Sequence, residues 1–400
     1  MTQSERPRRG CPICAATESS PLFFQRFEAI EGVSVIAGYD VVTCSHCGFA
    51  YADGIPDQAR FDQYYRDVSK YEYHQRDGAE SEYDSARMDV IANVVAPLIP
   101  NEQARILDIG CASGRLLYLL ARRGYPNVTG LDPSPGCVQT ARRLYDIHVV
   151  QGHLGQLPTL PYPMDVVILV GVLEHIRDLT EAMTRIRSIM APSGIVYVEV
   201  PDALEFVRWP NAPFQDFSLE HINFFSPTSV ANLFAVHGFA PVFVQQNHRH
   251  QAYRTTMSNV SAAFRVGDTR PLPITFDELS RPALQQYIDN CTAEERRLHD
   301  RINELVDSRR VIVVWGVGTN TTRLLTTSRL PEANISAFVD SNAKYHGKTV
   351  AGRPIVAPIA LRDRSEPILI VSRVFQTEIA RQIRDTLGPN REIITLYEID

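Results

Sequence analysis

The sequence lacks a long apolar run, and it lacks any block of like charge. Its longest apolar run, residues 166–173, has eight residues, whereas a membrane-spanning helix needs about 20. Lysine and arginine number 40 against 46 aspartates and glutamates, for a formal net charge of −6. These absences argue against a membrane span, a polybasic membrane patch and a nucleic-acid-binding surface. We therefore expect a soluble protein with no membrane and no nucleic-acid partner.

No apolar stretch follows the polar, basic residues at the N-terminus, so we expect no signal peptide and a cytoplasmic location. With 44% hydrophobic and 22% charged residues, the composition is that of a folded globular protein and excludes long disorder. A chain of 400 residues exceeds what one hydrophobic core usually organises. Two or three domains are therefore expected.

Seven cysteines are too few for a disulfide scaffold in a chain of this length. Four of them form two C-x2-C pairs separated by 29 residues, namely Cys11 with Cys14 and Cys44 with Cys47. Four thiolates at this spacing are typical of a structural zinc site, which stabilises a segment with little core of its own. A redox dithiol, which requires only one pair, and unrelated surface cysteines are the alternatives. The zinc-binding module is assigned to residues 1–54.

Short apolar strands alternate with helices in the middle of the sequence and again near its C-terminus. This alternation predicts an α/β fold, with parallel sheets covered by helices on both faces. The first Rossmann-like unit is assigned to residues 55–250, including a tyrosine-rich lead-in segment at 55–84. The second is assigned to residues 310–400, and a charged helical stretch at 275–309 is expected to be a spacer between the two.

The first turn of the middle unit carries an acidic residue where a dinucleotide-binding fold carries glycine. It reads Asp108-Ile-Gly110-Cys-Ala-Ser-Gly114, and the glycines allow a ligand and the next helix to lie close to the sheet. Asp108 would repel a pyrophosphate and attract a cation without phosphate. Asp132, after the next strand, is placed to accept hydrogen bonds from ribose hydroxyls. An NAD(P)-dependent oxidoreductase is the rival, but G-x-G-x-x-G is absent at this turn.

Four spaced motifs resemble those of the class I S-adenosylmethionine-dependent methyltransferases, over about residues 85–245: DIGCASG, LDPS, MDVVILVGVLEHIRD and PSGIVYVEVP. The family commonly has an acidic residue near position 153, where this chain has a histidine. Glu174-His175 is a frequent pair in the family and usually shapes the floor of the pocket. The cofactor contacts that the resemblance implies are Asp108, Gly110, Cys111, Gly114, Asp132, Pro133, His153, Leu154 and Val170.

The order of segments resembles the deoxysugar C-methyltransferases over nearly the whole chain: a four-cysteine module, a methyltransferase domain with an EHxxxFS element at 220–226, and a C-terminal Rossmann-like unit. That family acts on nucleotide-linked 4-keto-deoxysugars at C3. The resemblance implies that Glu220 and His221 deprotonate the carbon next to the ketone. Tyr71 and Tyr73 match a tyrosine-rich stretch of the family and are secondary catalytic candidates. The family usually has tyrosine where this chain has Ser218.

The residues themselves also favour His221 as a general base, because a neighbouring carboxylate can raise its basicity and nearby phenylalanines can exclude water. The alternative is a histidine that caps or bridges the following helix. Asn223 and Phe224, next to it in sequence, are the predicted substrate contacts in this element.

The C-terminal unit contains a second glycine-rich turn, close to a dinucleotide fingerprint but with Thr321 in place of the third glycine. A nucleotide diphosphate could rest on the N–H groups at the helix start. The alternative is a scaffold lobe that only walls the active site. The predicted substrate contacts here are Gly316, Gly318, Thr319, Asn320 and Asp340.

The sequence thus predicts an enzyme that transfers a methyl group from S-adenosylmethionine to a nucleotide-linked keto-deoxysugar, with His221 as base, Glu220 orienting it and zinc as a structural ion. The alternatives are O-methylation of a sugar or another natural-product intermediate, and a binding protein built on an inactive methyltransferase. We expect a small-molecule substrate and a monomer or small homo-oligomer.

Overall fold

The computed structural model of the protein contains three sheets and nine helices within the part of the chain that it describes. The described residues are 8–68, 82–157, 160–209, 211–250, 256–267 and 273–397. The strands are β1 (Ser19–Arg26), β2 (Gly38–Cys44), β3 (Ala50–Asp53), β4 (Ile106–Ile109), β5 (Val128–Asp132), β6 (Val149–Gln151), β7 (Met164–Val170), β8 (Met190–Pro201), β9 (Asn223–Phe224), β10 (Phe239–His250), β11 (Thr256–Val266), β12 (Val311–Trp315), β13 (Asn334–Val339), β14 (Thr349–Val350), β15 (Arg353–Val356), β16 (Ile368–Ile370) and β17 (Ile393–Thr395). The helices are α1 (Gln58–Val68), α2 (Glu82–Val95), α3 (Arg115–Arg122), α4 (Pro135–Tyr145), α5 (Leu179–Ile189), α6 (Pro227–Val236), α7 (Ser280–Asp307), α8 (Thr319–Thr327) and α9 (Gln376–Leu387).

The N-terminal sheet has the strand order β1-β2-β3-β9, with every neighbouring pair antiparallel. Its last strand comes from the middle of the chain, because Tyr51 and Ala50 of β3 pair with Asn223 and Phe224. The predicted boundary after residue 54 therefore does not separate two independent bodies. The EHxxxFS element completes the N-terminal sheet.

The central sheet has seven strands in the order β10-β11-β8-β7-β4-β5-β6. Strands β8, β7, β4, β5 and β6 are parallel, as predicted, and helices pack on the sheet. The prediction ended this unit at residue 250, which is wrong because β11 lies between β10 and β8. Ser258, Asn259 and Ser261 interrupt the apolar pattern of β11, and this hides a strand that is buried in the sheet.

The C-terminal sheet has the strand order β14-β15-β13-β12-β16-β17. Four of its five strand pairs are parallel, which agrees with the predicted second Rossmann-like unit. The antiparallel pair β14 and β15 at the edge was not predicted, because strands of two and four residues carry too little periodicity.

Helix α7 does more than separate two lobes. Its first half buries Leu284, Tyr287 and Cys291 in a core shared with the N-terminal sheet, while Leu298 and Ile302 in its second half enter the core of the C-terminal sheet. The predicted spacer is thus a packed helix that joins two cores. Across the described residues, no helix has the length and apolarity that crossing a lipid bilayer requires.

Candidate functional site

A cavity lies at the edge of the central sheet where β4, β5, β6 and β7 end. Parallel strands end at the same edge, so the turns that follow them converge there. Eight of the nine predicted cofactor residues line this cavity, and the exception is Gly114, which precedes α3 in a left-handed conformation (φ 79°). The eight are Asp108, Gly110, Cys111, Asp132, Pro133, His153, Leu154 and Val170.

The turn after β4 is held in shape by a carboxylate from the next strand. Asp132 accepts hydrogen bonds from the backbone N–H of Ala112 and of Ser134, both at 2.9 Å. Gly110 has φ 74°, and a Cβ atom there would come within 2.7 Å of the Val172 side chain. Glycine is therefore required at position 110 both by conformation and by space.

The cavity holds two buried carboxyl groups close together, and this shapes its electrostatics. Asp108 is 3% exposed and Asp132 is 6% exposed. Desolvation, together with the charge of Asp132, raises the pKa of Asp108 well above its usual range. A cationic ligand would lower the free energy of the two buried carboxylates, whereas a pyrophosphate would raise it by repulsion. The residues present therefore fit a sulfonium nucleoside and do not fit a dinucleotide.

A second group of side chains lies beside this cavity and is called here the Tyr–His cluster: Tyr64 and Tyr65 of α1, His175, Glu220 and His221. The Tyr65 hydroxyl lies 2.8 Å from Nδ1 of His175, and the same nitrogen lies 3.1 Å from the backbone oxygen of Glu220. Tyr64 donates to Oε1 of Glu220 at 3.0 Å. The rings of His175 and His221 meet edge to face, with centroids 4.9 Å apart.

The partners of His175 allow its Nδ1 to be used in either protonation state. A proton on Nδ1 is donated to the Glu220 carbonyl, and without that proton Nδ1 accepts from the Tyr65 hydroxyl. Burial, then the charge of Glu220, raises the pKa of Tyr64 well above its usual range, so its hydroxyl remains a donor. The cluster is therefore chemically suited to receiving and passing on a proton.

Part of the same cluster could also hold a metal ion. One donor atom each of Glu174, His175 and His221 lies within 4.8 Å of the others, and two imidazoles with a carboxylate are a frequent ligand set for divalent transition metals. This arrangement competes with the use of His221 as a base.

The structure does not bring all predicted residues to the cavity. Asn223 and Phe224 are 2% and 1% exposed, and neither lines it. Asn223 instead donates to the backbone oxygens of Leu173 and Ile176, at 2.8 and 2.6 Å, and so holds the turn that carries His175. The prediction of both residues as substrate contacts is therefore corrected: the amide of Asn223 is hydrogen-bonded to the backbone, and the ring of Phe224 is buried.

Other candidates from the EHxxxFS region and the lead-in segment also differ from expectation. Ser218, where the resembled family has tyrosine, accepts hydrogen bonds from the N–H groups of Glu220 and His221 at 3.2 and 3.0 Å. It shapes the turn and offers no phenol. Tyr71 and Tyr73 lie outside the described residues. Tyr64 and Tyr65, in the same tyrosine-rich segment, are the tyrosines that the structure brings to the Tyr–His cluster.

The glycine-rich turn of the C-terminal unit lies apart from the cavity. None of the predicted residues Gly316, Gly318, Thr319, Asn320 and Asp340 lines it. Asp340 accepts from two backbone N–H groups at 2.8 Å, as Asp132 does in the central sheet. The Asn320 amide donates to the Val371 oxygen and to the Tyr397 hydroxyl. Two of the predicted polar side chains thus brace the C-terminal fold.

The four N-terminal cysteines come together as their spacing predicts. All four Sγ atoms lie within 4.8 Å of one another, and two pairs are 3.5 Å apart. No disulfide joins them, and all are free thiols. Zinc–sulfur bonds of about 2.3 Å in a tetrahedron give sulfur separations of about 3.8 Å, so this cluster fits a zinc ion.

Comparison with known proteins supports the interpretation of the central cavity. Residues 81–244 match the family described as a methyltransferase domain, and residues 308–394 match the family described as C2185-like, N-terminal. The trans-aconitate 2-methyltransferase of Rhodopseudomonas palustris is 25% identical over 279 residues, which cover 68% of this chain and 91% of that protein.

Two further curated relatives are also methyltransferases. The ubiquinone biosynthesis O-methyltransferase of Azorhizobium caulinodans is 35% identical over 106 residues, covering 25% of this chain and 42% of that protein. The C-methyltransferase NovU of Streptomyces niveus is 25% identical over 268 residues, covering 63% of this chain and 62% of that protein. This chain therefore spans less than two thirds of the length of either of these two relatives.

Among solved structures, the 1,6-didemethyltoxoflavin-N1-methyltransferase of Burkholderia thailandensis, with bound S-adenosylhomocysteine, is similar at 19% identity and a TM-score of 0.42, covering 56% of this chain and 97% of that one. The family match includes the turns after β4, β5, β6 and β7 that line the acidic cavity. The match of residues 81–244 and the methyltransferase relatives support an S-adenosylmethionine-dependent methyltransferase enzyme, with a class I methyltransferase domain in the middle of the chain.

Proposed function

We propose that this enzyme methylates the carbon next to the ketone of a nucleotide-linked keto-deoxysugar. The observation that supports the proposal is the position of the Tyr–His cluster, because a set of proton-handling groups flanks the cavity assigned to the methyl donor. Methylation at carbon needs a base that removes a weakly acidic proton, and the cluster supplies candidates for it.

In this proposal the cavity holds S-adenosylmethionine along the edge of the sheet. Asp108 and the backbone of Gly110 face the methionine part, and Asp132 accepts from the ribose hydroxyls. When bound, the cofactor supplies a methyl group on a sulfonium. The chain aligns the acceptor with that methyl group and keeps water out of the cavity.

The proposed proton path begins at His221. Its imidazole would take the proton from the acceptor carbon, and the electron pair left on that carbon would form the new bond to the methyl group as the methyl–sulfur bond breaks and S-adenosylhomocysteine leaves. His175, whose ring lies against that of His221, and Tyr65, whose hydroxyl contacts His175, then provide a route away from the site. Glu220 contributes through its contact with Tyr64 and through its backbone oxygen. Its predicted role of orienting His221 remains a prediction.

The other parts of the prediction become proposals of the same kind. We infer that a zinc ion is bound by Cys11, Cys14, Cys44 and Cys47. These four protein ligands would fill its coordination sphere and leave no open position for a substrate or water. The nucleotide diphosphate is assigned to the turn at Gly316 and Gly318, where a Cβ atom would meet nothing within 4 Å.

The test uses nucleotide-linked 4-keto-deoxysugars that carry deuterium at the carbon next to the ketone. Incubation with S-adenosylmethionine, followed by mass spectrometry, should show a gain of one methyl group with loss of the deuterium. Retention of the deuterium in a methylated product would show methylation at oxygen. A control without enzyme measures the exchange of the label with solvent.

A second candidate is O-methylation of a sugar or another natural-product intermediate with help from a divalent metal. The donor set of Glu174, His175 and His221 favours it, because a metal there would lower the pKa of a bound hydroxyl. Under this alternative, a chelator abolishes turnover at once and added Mn²⁺ or Co²⁺ restores it. Under the first proposal, brief chelation leaves the initial rate unchanged.

A further inference from the structure

The lead-in helix α1 places a carboxylate over the far end of the cofactor cavity. Asp62 of α1 lies with Oδ1 3.4 Å from Nδ1 of His153, in the turn that follows β6. Both residues line the cavity, and their side chains are 18% and 26% exposed.

The order of the strands shows which part of the cofactor meets this pair. The edge runs β4, β5, β6, so the turns at Gly110, Asp132 and His153 are successive along it. A nucleoside with its sulfonium arm at the first turn and its ribose at Asp132 places its base at the third. The inference rests on the proposed binding of S-adenosylmethionine in this cavity.

Hydrogen bonds fix the direction of the Asp62 carboxylate. Gln58, one turn earlier in α1, donates from its amide nitrogen to Oδ1 of Asp62 at 2.9 Å. The amide oxygen of Gln58 accepts from the backbone N–H of Arg177 and of Asp178, at 2.8 and 3.2 Å. These two contacts settle which end of the amide faces Asp62.

The other carboxylate oxygen is available to a ligand. In the described part of the chain, Oδ2 of Asp62 accepts no hydrogen bond. It points toward the turn after β6, since a Cβ atom built on Gly155 would lie 3.6 Å from it. A carboxylate oxygen accepts hydrogen bonds and donates none, so it recognises an amino group and rejects a carbonyl.

We propose that Asp62 accepts a hydrogen bond from the exocyclic amino group of the adenine and thereby sets the specificity of the enzyme for an adenosine cofactor. Nδ1 of His153 lies 3.4 Å from the same carboxylate, in the turn after β6. Tyr65 lies three residues after Asp62, on the same side of α1, and contacts His175. Binding of the adenine therefore also stabilises the helix that brings Tyr65 to the Tyr–His cluster.

The test compares two ligands that differ at one position of the base. S-adenosylhomocysteine carries the amino group, and S-inosylhomocysteine carries a carbonyl oxygen in its place. Calorimetry on the full chain should show that the wild type binds the adenosine compound at least about tenfold more tightly. In Asp62→Asn the new amide can donate to the carbonyl, so this preference should shrink about tenfold or reverse.

The matched control is Asp57→Asn, which removes a carboxylate from the start of the same helix. Asp57 is exposed and accepts from the Arg60 N–H at 3.1 Å, and asparagine serves equally well at this capping position. Its ligand preference should equal that of the wild type. Asp62→Ser is a second variant, and it should also lose the preference if Asp62→Asn fails to fold.

A second measurement follows the helix itself. Hydrogen exchange of residues 58–66 should slow when S-adenosylhomocysteine binds the wild type, and the effect should be smaller in Asp62→Asn. If both Asp62 variants keep the wild-type preference between the two ligands, the role given to Asp62 is wrong. If the wild type binds neither ligand, the proposed cofactor site itself is wrong, so the two failures are distinguishable.

Discussion

The hydroxyl of Tyr65 lies 2.8 Å from Nδ1 of His175, across 110 residues of sequence. It joins the lead-in helix to the turn after β7, and both line the same cavity. We expect Tyr65→Phe to lower kcat about tenfold or more, since it removes the proton partner of His175 and keeps the ring. Calorimetry should find the affinity for S-adenosylhomocysteine nearly unchanged. A wild-type kcat in Tyr65→Phe would exclude the hydroxyl from the proton path.

His221→Ala should reduce kcat about a hundredfold or more, because the variant lacks the proposed base. Cofactor affinity should remain close to the wild-type value, since His221 does not line the cavity. Steady-state kinetics measures the first quantity and calorimetry the second. Unaltered turnover would remove His221 from the mechanism and leave His175 as the candidate base.

Asp108→Asn should weaken binding of S-adenosylhomocysteine about tenfold, because the variant removes the buried charge that faces the amino acid part of the ligand. The unliganded variant should be at least as stable as the wild type, since burial already raises the pKa of this carboxyl and disfavours its charged form. Calorimetry and thermal unfolding report the two effects. Lower stability with unchanged affinity would show that Asp108 serves the fold alone.

Removal of metal from the four-cysteine cluster should lower the melting temperature before it alters the rate of methyl transfer. The cluster lies beside the N-terminal sheet, since Cys44 ends β2 and Cys47 lies in the turn before β3, and β9 joins this sheet to the EHxxxFS element. Loss of zinc would therefore loosen the support of His221 only as the sheet unfolds. Metal analysis with thermal unfolding checks this outcome. Zinc-free protein with native melting behaviour would contradict the assignment, and Cys137→Ser is a control outside the cluster.

Stability should fall as pH rises from about 4 to about 7, in part because of Asp216. Desolvation raises the pKa of its carboxyl to about 7. In this window the folded protein holds a proton that the unfolded chain has released, so raising the pH favours unfolding. Asp216→Asn, which cannot ionise, should gain at least about 1 kcal/mol over the wild type between pH 5 and pH 8. Urea titrations at both values provide the measurement, and an equal difference at both would contradict it.

Much of the fold could be predicted because the relevant signals are local. The alternation of apolar strands and helices predicts both Rossmann-like units, and the two cysteine pairs predict their own cluster. Strand β11 was missed because serine and asparagine interrupt its apolar pattern, although it is covered on both sides by β8 and β10. Burial decided by neighbouring strands cannot be deduced from one segment of sequence.

The candidate site, like the fold, could be predicted from the sequence only where its signals are local. The chemistry of the turn from Asp108 to Gly114 could be predicted from the sequence, because its acidic residue, its glycines and their spacing are local features. The structural role of Asn223 could not be predicted from the sequence, because the carbonyls that it binds belong to residues about 50 positions earlier. Nor could the sequence indicate that Asp62 reaches His153, because α1 and β6 meet only in the folded chain.

The sequence by itself determined the kind of chemistry: an acidic, glycine-lined turn after a parallel strand suits a cationic nucleoside, whatever surrounds it. The tertiary structure alone decided which side chains accompany that turn. Helix α1 lies over the cavity, so Asp62 and Tyr65 line it although they lie outside the sequence motifs. Asn223 and Phe224 form β9 and are paired in the N-terminal sheet, so they do not reach the cavity. Hydrogen bonds and desolvation depend on distances between atoms, and those distances are set by the packing of segments that lie far apart in sequence.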